Sequence, residues 1–300
     1  MFAWFILLLL GAIWGASYMF IKVGVAEIPP FTFVTGRTLI ASLALYIAMR
    51  LRGEALPTTR AVWTPILVMA IFNSVIPYTL ITWGETSISS ALAAILTATN
   101  PLFTVVLANF WTHDERFTRH KVIGILLGFF GVVILFLPAW RQGIQIEFWG
   151  MLAVVGAALC YAVSLLVARK RLGGMSHYVA STAQLGLATV MLIPLSLAFD
   201  NPFALRPSPL ALGALALLAL LGTSIAYILY YWLIENTGAT RTSLVTYLIP
   251  ITGIFWGALL LNETIQIESI IGLTLIIGGV GLVTRQSKPA ANAAVVAEGK

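Results

Sequence analysis

Charged side chains are scarce in this sequence of 300 residues: Lys, Arg, Asp and Glu together make up 9% of it. Soluble domains carry about 25% charged residues, so the composition argues against a water-soluble globular protein. The single cysteine, Cys160, excludes a disulfide within the chain. The three histidines fall in loops or at helix starts, and no His-Glu-x-x-His motif occurs, so the sequence indicates neither a metal site nor a cofactor.

Apolar residues take the place of the missing charge: 60% of the residues are hydrophobic and the mean hydropathy is +0.97. A helix needs about 20 mostly apolar residues to cross a bilayer. Ten such runs occur, separated by short stretches rich in proline, glycine and charge. The sequence therefore predicts an all-α integral membrane protein with ten transmembrane helices, at 4–22, 32–50, 63–83, 88–111, 120–138, 148–168, 178–198, 209–232, 240–261 and 268–284.

The few basic residues are unevenly distributed between the loops. If the N-terminus is cytoplasmic, thirteen of the 17 Lys and Arg residues fall on the cytoplasmic side, three fall outside, and Arg37 lies within a helix. Such an excess orients membrane proteins. We therefore expect both termini in the cytoplasm, with a disordered cytoplasmic tail at 286–300. The same bias explains the net charge of +6, so nucleic acid is not an expected partner.

The two halves of the sequence align with each other at a nearly constant offset. Residues 85–135 align with residues 235–283, which places Pro101 opposite Pro250. Further aligned pairs are Glu85 with Glu235, Tyr78 with Tyr227, Ser17 with Ser164, and residues 30–37 with residues 177–184.

Five helices in each half is an odd number, so the second half must cross the membrane in the opposite sense. The pattern predicts an inverted repeat, which is typical of transporters that bind their substrate at the repeat interface near the midplane. The predicted repeats are residues 1–141 and 142–285.

Four segments resemble the EamA-type drug/metabolite transporter superfamily: GAIWGASYMFIKVG at 11–24, ATNPLFTVV at 98–106, LIPITGIFWGALLLNE at 248–263 and IGLTLIIGGVGLV at 271–283. The resemblance covers roughly residues 3–285 and is strongest to the bacterial exporters of aromatic and other neutral amino acids. It implies ten helices, a central cavity, alternating access and a place in the bacterial inner (plasma) membrane. We expect the protein to act as a monomer in the lipid bilayer.

Pro101 and Pro250 interrupt two long apolar runs at aligned positions. A proline inside a helix costs roughly 3 kcal/mol, and broken backbone at membrane depth is tolerated only inside the protein or beside a watery cavity. We expect Asn100 and Thr97 to supply the missing hydrogen bonds. The matched placement favours a kink or hinge that shapes the transport path over one that only improves packing.

Several polar and aromatic residues inside the predicted helices are candidates for lining a substrate cavity. Tyrosine offers an apolar face and one hydrogen-bonding tip, which suits a cargo with polar and aromatic parts. The alternatives are an aromatic belt at the membrane surface or ordinary packing, and mid-helix depth favours lining for Tyr78, Tyr227, Asn100 and Tyr247. The predicted substrate-binding residues are Trp14, Ser17, Tyr18, Asn73, Tyr78, Thr97, Asn100, Tyr161, Ser164, Tyr227, Tyr231, Thr246 and Tyr247.

The acidic residues all fall at predicted helix ends, in loops or in the tail, and none lies at a predicted midplane. Proton-driven antiporters place an Asp or Glu there, because an ionisable group inside the membrane is expensive and is kept for function. Proton coupling through Glu85 or His177 stays open. Arg37 is the one basic residue that phosphate-binding carriers could use; snorkelling to the membrane surface or capping a helix end is the alternative. Glu115 and Glu263 are expected to cap helix hairpins.

The sequence thus predicts a transporter, not an enzyme, that exports neutral or aromatic amino acids and similar metabolites by facilitated, uncoupled alternating access. The alternatives are a proton-coupled drug or metabolite efflux pump and a flippase for lipid-linked substrates, which would share the architecture. An intramembrane enzyme would need paired aspartates, a Ser–His dyad or metal ligands at depth, and none is evident.

Overall fold

Long apolar helices make up the protein, whose computed structural model describes residues 2–111, 117–141, 145–171 and 175–284. These ranges contain α-helices with short 3₁₀ and π turns, and no β-strand. In this part of the chain nine helices are long and apolar enough to cross a membrane, and Val245–Leu261 is shorter, with 17 residues. The helices are α1 (Phe2–Val25), α2 (Pro30–Leu51), α3 (Arg60–Gly84), α4 (Ser90–Trp111), α5 (Arg119–Arg141), α6 (Ile146–Arg171), α7 (His177–Phe199), α8 (Pro209–Thr237), α9 (Val245–Leu261) and α10 (Ile267–Thr284).

The predicted all-α class is confirmed, and each of the ten apolar runs contains a helix. The largest difference lies at α9, which was expected from residue 240. There the chain first forms a separate turn, Ala239–Thr242, and α9 begins only at Val245. The expectations for the tail at 286–300 and for Glu115 lie outside the described residues.

The helices pack across the two halves of the chain. The most extensive contacts join α5 to α10, α2 to α7, and α1 to α9, and α3 and α4 both lie against α6. Where α5 meets α10, small residues let the two backbones touch, as is common between membrane helices. A Cβ atom on Gly279 would lie 2.5 Å from the carbonyl oxygen of Gly124, and one on Gly124 would lie 2.6 Å from that of Gly279.

α4 is divided into two parts, Ser90–Thr97 and Asn100–Trp111. Tight turns end the first part, with the Ala98 and Thr99 amides donating to carbonyls three residues back. Pro101 therefore lies in the first turn of a new helix, where its amide hydrogen would lack a helical partner anyway.

The backbone around the two prolines differs: Pro101 lies in the first turn of a helix, whereas α9 runs without a break through Pro250. The expected rescue by Asn100 and Thr97 is also different from what the structure shows. The Thr97 hydroxyl donates to the Ala93 carbonyl at 2.8 Å, and the Asn100 side-chain oxygen accepts from the Thr104 hydroxyl at 3.1 Å. Neither of these two bonds joins the two parts of α4.

Glu263, in the segment between α9 and α10, caps the start of α4 and not the hairpin in which it lies. One carboxylate oxygen accepts from the Ser90 amide at 2.8 Å; the other accepts from the Ser90 hydroxyl and the Ala91 amide, both at 3.0 Å. A carboxylate at this position satisfies free amides and interacts favourably with the helix dipole. The cap joins the second half of the chain to the first.

Glu263→Gln should lower the thermal stability of the purified protein, because it removes the charge from this cap and one of its acceptors. Loss of a helix cap costs about 0.5–2 kcal/mol. Thermal unfolding in detergent measures the effect. Glu147→Gln is the matched control, since Glu147 lies exposed in the first turn of α6. Equal melting of the Glu263 variant and the wild type would contradict the capping role.

Gly279→Ala should separate α5 from α10, because the added methyl group would meet backbone atoms, which cannot rotate away. Overpacking of this kind costs about 1–3 kcal/mol. The control is Gly281→Ala in the same helix, where an added Cβ has no atom within 4 Å. Thermal unfolding of the two variants should differ clearly, and identical melting would show that the contact is not tight.

Candidate functional site

α3 and α8 each contain a π-helical turn, at Ile71–Val75 and at Leu220–Ile225. Such turns are rare, and they occur often at functional sites because they free backbone groups and re-aim side chains. In α8 the hydroxyls of Thr223 and Ser224 donate to carbonyls five residues earlier, at 3.1 and 3.0 Å. The turns thus remain satisfied inside the protein while presenting polar side chains to the other helices.

A hydrogen-bonded network of four side chains lies between α3, α6 and α8. The Ser164 hydroxyl donates to the Asn73 side-chain oxygen at 3.1 Å, and the Asn73 amide donates to the Tyr227 hydroxyl at 3.3 Å. The Tyr227 and Tyr78 hydroxyls share a hydrogen bond of 3.1 Å. All four residues were predicted to bind substrate, and the fold brings them together; we call them the tyrosine network.

Tyr161, Tyr18 and Thr97 lie close to this network. Tyr161 packs against the hydrophobic clusters that contain Tyr18 and Tyr78. Its backbone carbonyl accepts a hydrogen bond from the Ser164 hydroxyl at 2.9 Å. The hydroxyl of Tyr18 interacts with the side chain of Thr97. A substrate among these residues would meet aromatic faces and uncharged hydroxyl groups.

Arg37 is buried against the tyrosine network, with 7% of its surface exposed. Its guanidinium lies 3.7 Å from the centre of the Tyr78 ring, and its Nε donates to the Thr223 hydroxyl at 3.0 Å. Among the described residues it forms no ion pair, and Nε is its only nitrogen with a hydrogen-bond partner. The alternatives of snorkelling and of helix capping are therefore wrong for this arginine, because its side chain points inward to α3 and α8.

Gln184 makes the corresponding contact from the other half. Its amide donates to the Ser74 hydroxyl at 2.8 Å, in the π turn of α3. In the alignment of the halves Gln184 matches Arg37, and Ser74 matches Thr223. Each pair thus joins the second helix of one half to the π turn of the other, but only Arg37 brings a charge.

Little space lies beside Tyr227, at one end of the tyrosine network, in this conformation. Tyr231 stacks on His177, with ring centres 3.9 Å apart, and its ring meets Tyr227 edge-on at 6.2 Å. The cavity that these three residues border has a volume of about 10 Å³. That is room for about one water molecule.

Trp14, Ser17 and Tyr247 make their described contacts with residues outside the network. Trp14 packs against Tyr230 at 5.3 Å, and the Ser17 hydroxyl donates to the Ile13 carbonyl at 3.0 Å. Thr246 and Tyr247 lie in the first turn of α9, and the Tyr247 hydroxyl shares a 2.9 Å hydrogen bond with Thr284 at the end of α10. The expected mid-helix depth of Tyr247 is wrong, because α9 begins later than the apolar run suggests.

A second buried polar site surrounds Glu85, which directly follows α3. The residue is 0% exposed, and neither carboxyl oxygen has a hydrogen-bond partner in the described part of the chain. The Lys22 ammonium donates to the backbone carbonyls of Glu85 and Ile88, both at 2.7 Å. The prediction that acidic residues lie at helix ends is correct for Glu85, but this helix end is inside the protein.

The predicted set of binding residues did not include Arg37, nor Gln184, Ser74 and Thr223, although the sequence places these polar residues inside predicted helices. The signal for Arg37 was its place inside α2, whose other charged residue, Arg50, lies in the last turn. No local sequence pattern predicts the π turns that contain Ser74 and Thr223.

The EamA-like transporter family matches the chain twice, over residues 1–137 and 148–285. Among similar proteins, the uncharacterized transporter YoaV of Bacillus subtilis is 24% identical, with 89% of this chain and 91% of YoaV covered. The uncharacterized inner membrane transporter YedA of Escherichia coli is 27% identical, with 91% of this chain and 87% of YedA covered.

A crystal structure with 20% sequence identity superposes with a TM-score of 0.67, covering 94% of this chain and 97% of its own, and so shares the fold. Two family matches that together span most of the sequence agree with the helices and with the resemblance that the sequence motifs carry. The chain is a multi-pass membrane protein and belongs to the EamA-like transporter family.

Proposed function

We propose that this transporter carries neutral or zwitterionic solutes with a carboxylate, foremost amino acids with aromatic or other neutral side chains, out of the cell across the inner membrane. The observation that carries the proposal is Arg37, a buried cation without a counter-ion among the described residues. An ionisable group at membrane depth is expensive and marks a functional site by default. One carboxylate on the solute would neutralise it.

The arrangement around Arg37 supports a carboxylate ligand. A guanidinium presents a planar set of five N–H donors that fits a carboxylate with two parallel hydrogen bonds. Thr223 holds the Nε side and Tyr78 lies against the flat face, so the group is oriented before a solute arrives. The two terminal nitrogens are left for the ligand.

The tyrosine network supplies what the rest of an amino acid needs. The hydroxyl oxygens of Tyr78 and Tyr227 and the side-chain oxygen of Asn73 are acceptors for the ammonium group. The rings of Tyr18 and Tyr161 offer apolar faces for an aromatic or aliphatic side chain. A phosphate ester with two charges would leave one charge unpaired here, which favours monocarboxylates.

Alternating access by two inverted repeats, residues 1–141 and 142–285, is part of the proposal. Support comes from two hydrogen bonds that occupy equivalent positions in the alignment of the halves: Arg37 to Thr223, and Gln184 to Ser74. The contacts of α2 with α7 and of α5 with α10 join helices with the same rank in each half. Rocking of one repeat against the other around a central site is the usual motion of such transporters. Both termini are proposed to be cytoplasmic.

Uncoupled movement was expected because no carboxylate lies at a predicted midplane, but Glu85, at the end of α3, is fully buried. A proton-coupled transporter of the same solutes is therefore the second candidate.

Arg37→Gln should weaken the binding of phenylalanine by about 10–100-fold, the range for loss of hydrogen bonds to a charged group. Counterflow of radiolabelled Phe, Trp, Met and Thr into liposomes measures it, with a cationic dye as the test for drug efflux. Phenylalaninol, which lacks the carboxylate, should compete poorly with phenylalanine in the wild type. In the variant the two compounds should compete about equally.

Arg141→Gln is the control for Arg37→Gln, because Arg141 is exposed at the end of α5. Unchanged phenylalanine counterflow in Arg37→Gln, or equal competition by phenylalaninol in the wild type, would refute the carboxylate site. Dye transport with inert amino acids would refute the substrate class.

Tyr227→Phe should raise the concentration for half-maximal counterflow by about fivefold or more, since it leaves the Asn73 amide without its acceptor, at a cost of about 1–3 kcal/mol. Tyr46→Phe is the matched control, because Tyr46 lies on the outer surface of α2 and is 44% exposed. If both variants transport like the wild type, the network has no part in solute binding.

A further inference from the structure

Glu85 is a buried acid that the proposed solute site does not use. It lies in the turn between α3 and α4, and both of its carboxyl oxygens are buried without a partner among the described residues. Most buried polar side-chain atoms are hydrogen-bonded, so each exception needs an explanation. Two unpartnered oxygens on one carboxyl group point to a ligand that is bound and released.

The titratable groups that face Glu85 make their described hydrogen bonds to other residues. On α1, Lys22 donates to two backbone carbonyls, and the Tyr18 hydroxyl lies with Thr97. Glu263, before α10, is held by the start of α4, and Arg37 on α2 is held by Thr223. The structure thus provides Glu85 with a nearby positive charge but with no hydrogen-bond donor.

An ionised carboxylate is poorly tolerated in this position. The cost of burying a charge is several kcal/mol even after the surroundings relax, and it is offset only by close pairing and hydrogen bonds. Burial accordingly raises the pKa of the Glu85 carboxyl well above its usual range; Lys22 and Arg37 oppose this change, and Glu263 adds to it. Burial without a hydrogen-bond donor among the described residues thus favours the protonated, uncharged form of Glu85 in this conformation.

We propose that Glu85 is the proton-binding group that couples solute transport to the proton gradient, an inference that rests on the proposed transport function. The carboxylate takes up one proton from the solution to which it is open, and the O–H bond lets the turn close against α1. When α3 and α4 part from α1, water reaches the carboxyl and the proton leaves. No other bond forms or breaks.

Glu235, which aligns with Glu85 in the second half, provides the matched control. Its side chain is 64% exposed, with one oxygen 4.0 Å from His177. An exposed carboxylate is hydrated, so it does not bear the cost of burial that Glu85 bears. The two aligned acids therefore differ in burial, which is the property that the proposal requires.

The test compares the wild type, Glu85→Gln and Glu235→Gln in liposomes with radiolabelled phenylalanine. An imposed proton gradient should drive accumulation by the wild type and by Glu235→Gln. Glu85→Gln, which mimics the protonated acid, should lose this accumulation but keep counterflow without a gradient. Accumulation by Glu85→Gln at the wild-type level, or a loss of counterflow in a variant that melts like the wild type, would overturn the proposal.

A second measurement is independent of any solute and separates this proposal from the proposed function. The raised pKa predicts that a stabilising contribution of protonated Glu85 is complete below the usual glutamate pKa and is lost as the pH rises through the raised value. Thermal unfolding of the wild type should show this loss, and Glu85→Gln should not. If no tested solute moves but the loss is seen, only the transport function fails.

Should Glu85→Gln not fold, infrared spectra of the wild type give the answer. A protonated-carboxyl band that persists at neutral pH supports the proposal, and its absence refutes it.

Discussion

Hydrocarbon offers no hydrogen bonds, so every polar group that this chain carries into the membrane must find its partner within the protein. The structure meets this constraint mainly with short-range bonds. Thr97, Thr223 and Ser224 return their hydroxyls to carbonyls of their own helices, and Lys22 closes the end of α3. These bonds make it possible for helices to break or widen at depth without exposing backbone to lipid.

Two ionisable groups stand apart from this rule, and they lie in different places. Arg37 keeps free donors beside the tyrosine network, whereas Glu85 keeps free acceptors at the end of α3. A cation without an acceptor suits an anionic part of a solute, and an acid without a donor suits a proton. Arg37 is proposed to select the cargo, and Glu85 is proposed to bind the proton that drives transport.

The contacts between the halves explain how a change at one place can reach the other. Glu263 of the second half holds the start of α4, and the glycine contact of α5 with α10 leaves little room for sliding. Arg37 and Gln184 each reach the π turn of the opposite half. A motion that opens one end must therefore rearrange bonds that belong to both halves, as the proposed alternating access requires.

The sequence by itself determined the class, the helices and the family, because these depend on the apolar run length, on proline and glycine between the runs, and on motifs that survive in both halves. It also named Asn73, Tyr78, Ser164 and Tyr227 as candidates from their polar atoms alone. Only the tertiary structure decided which side chains meet. Helical phase changes at the π turns and at the break before Asn100. α9 begins at Val245, which places Tyr247 in its first turn, and Arg37 lies against the Tyr78 ring. Burial at the end of α3 likewise depends on α1 and on the segment before α10, which are far from Glu85 along the chain.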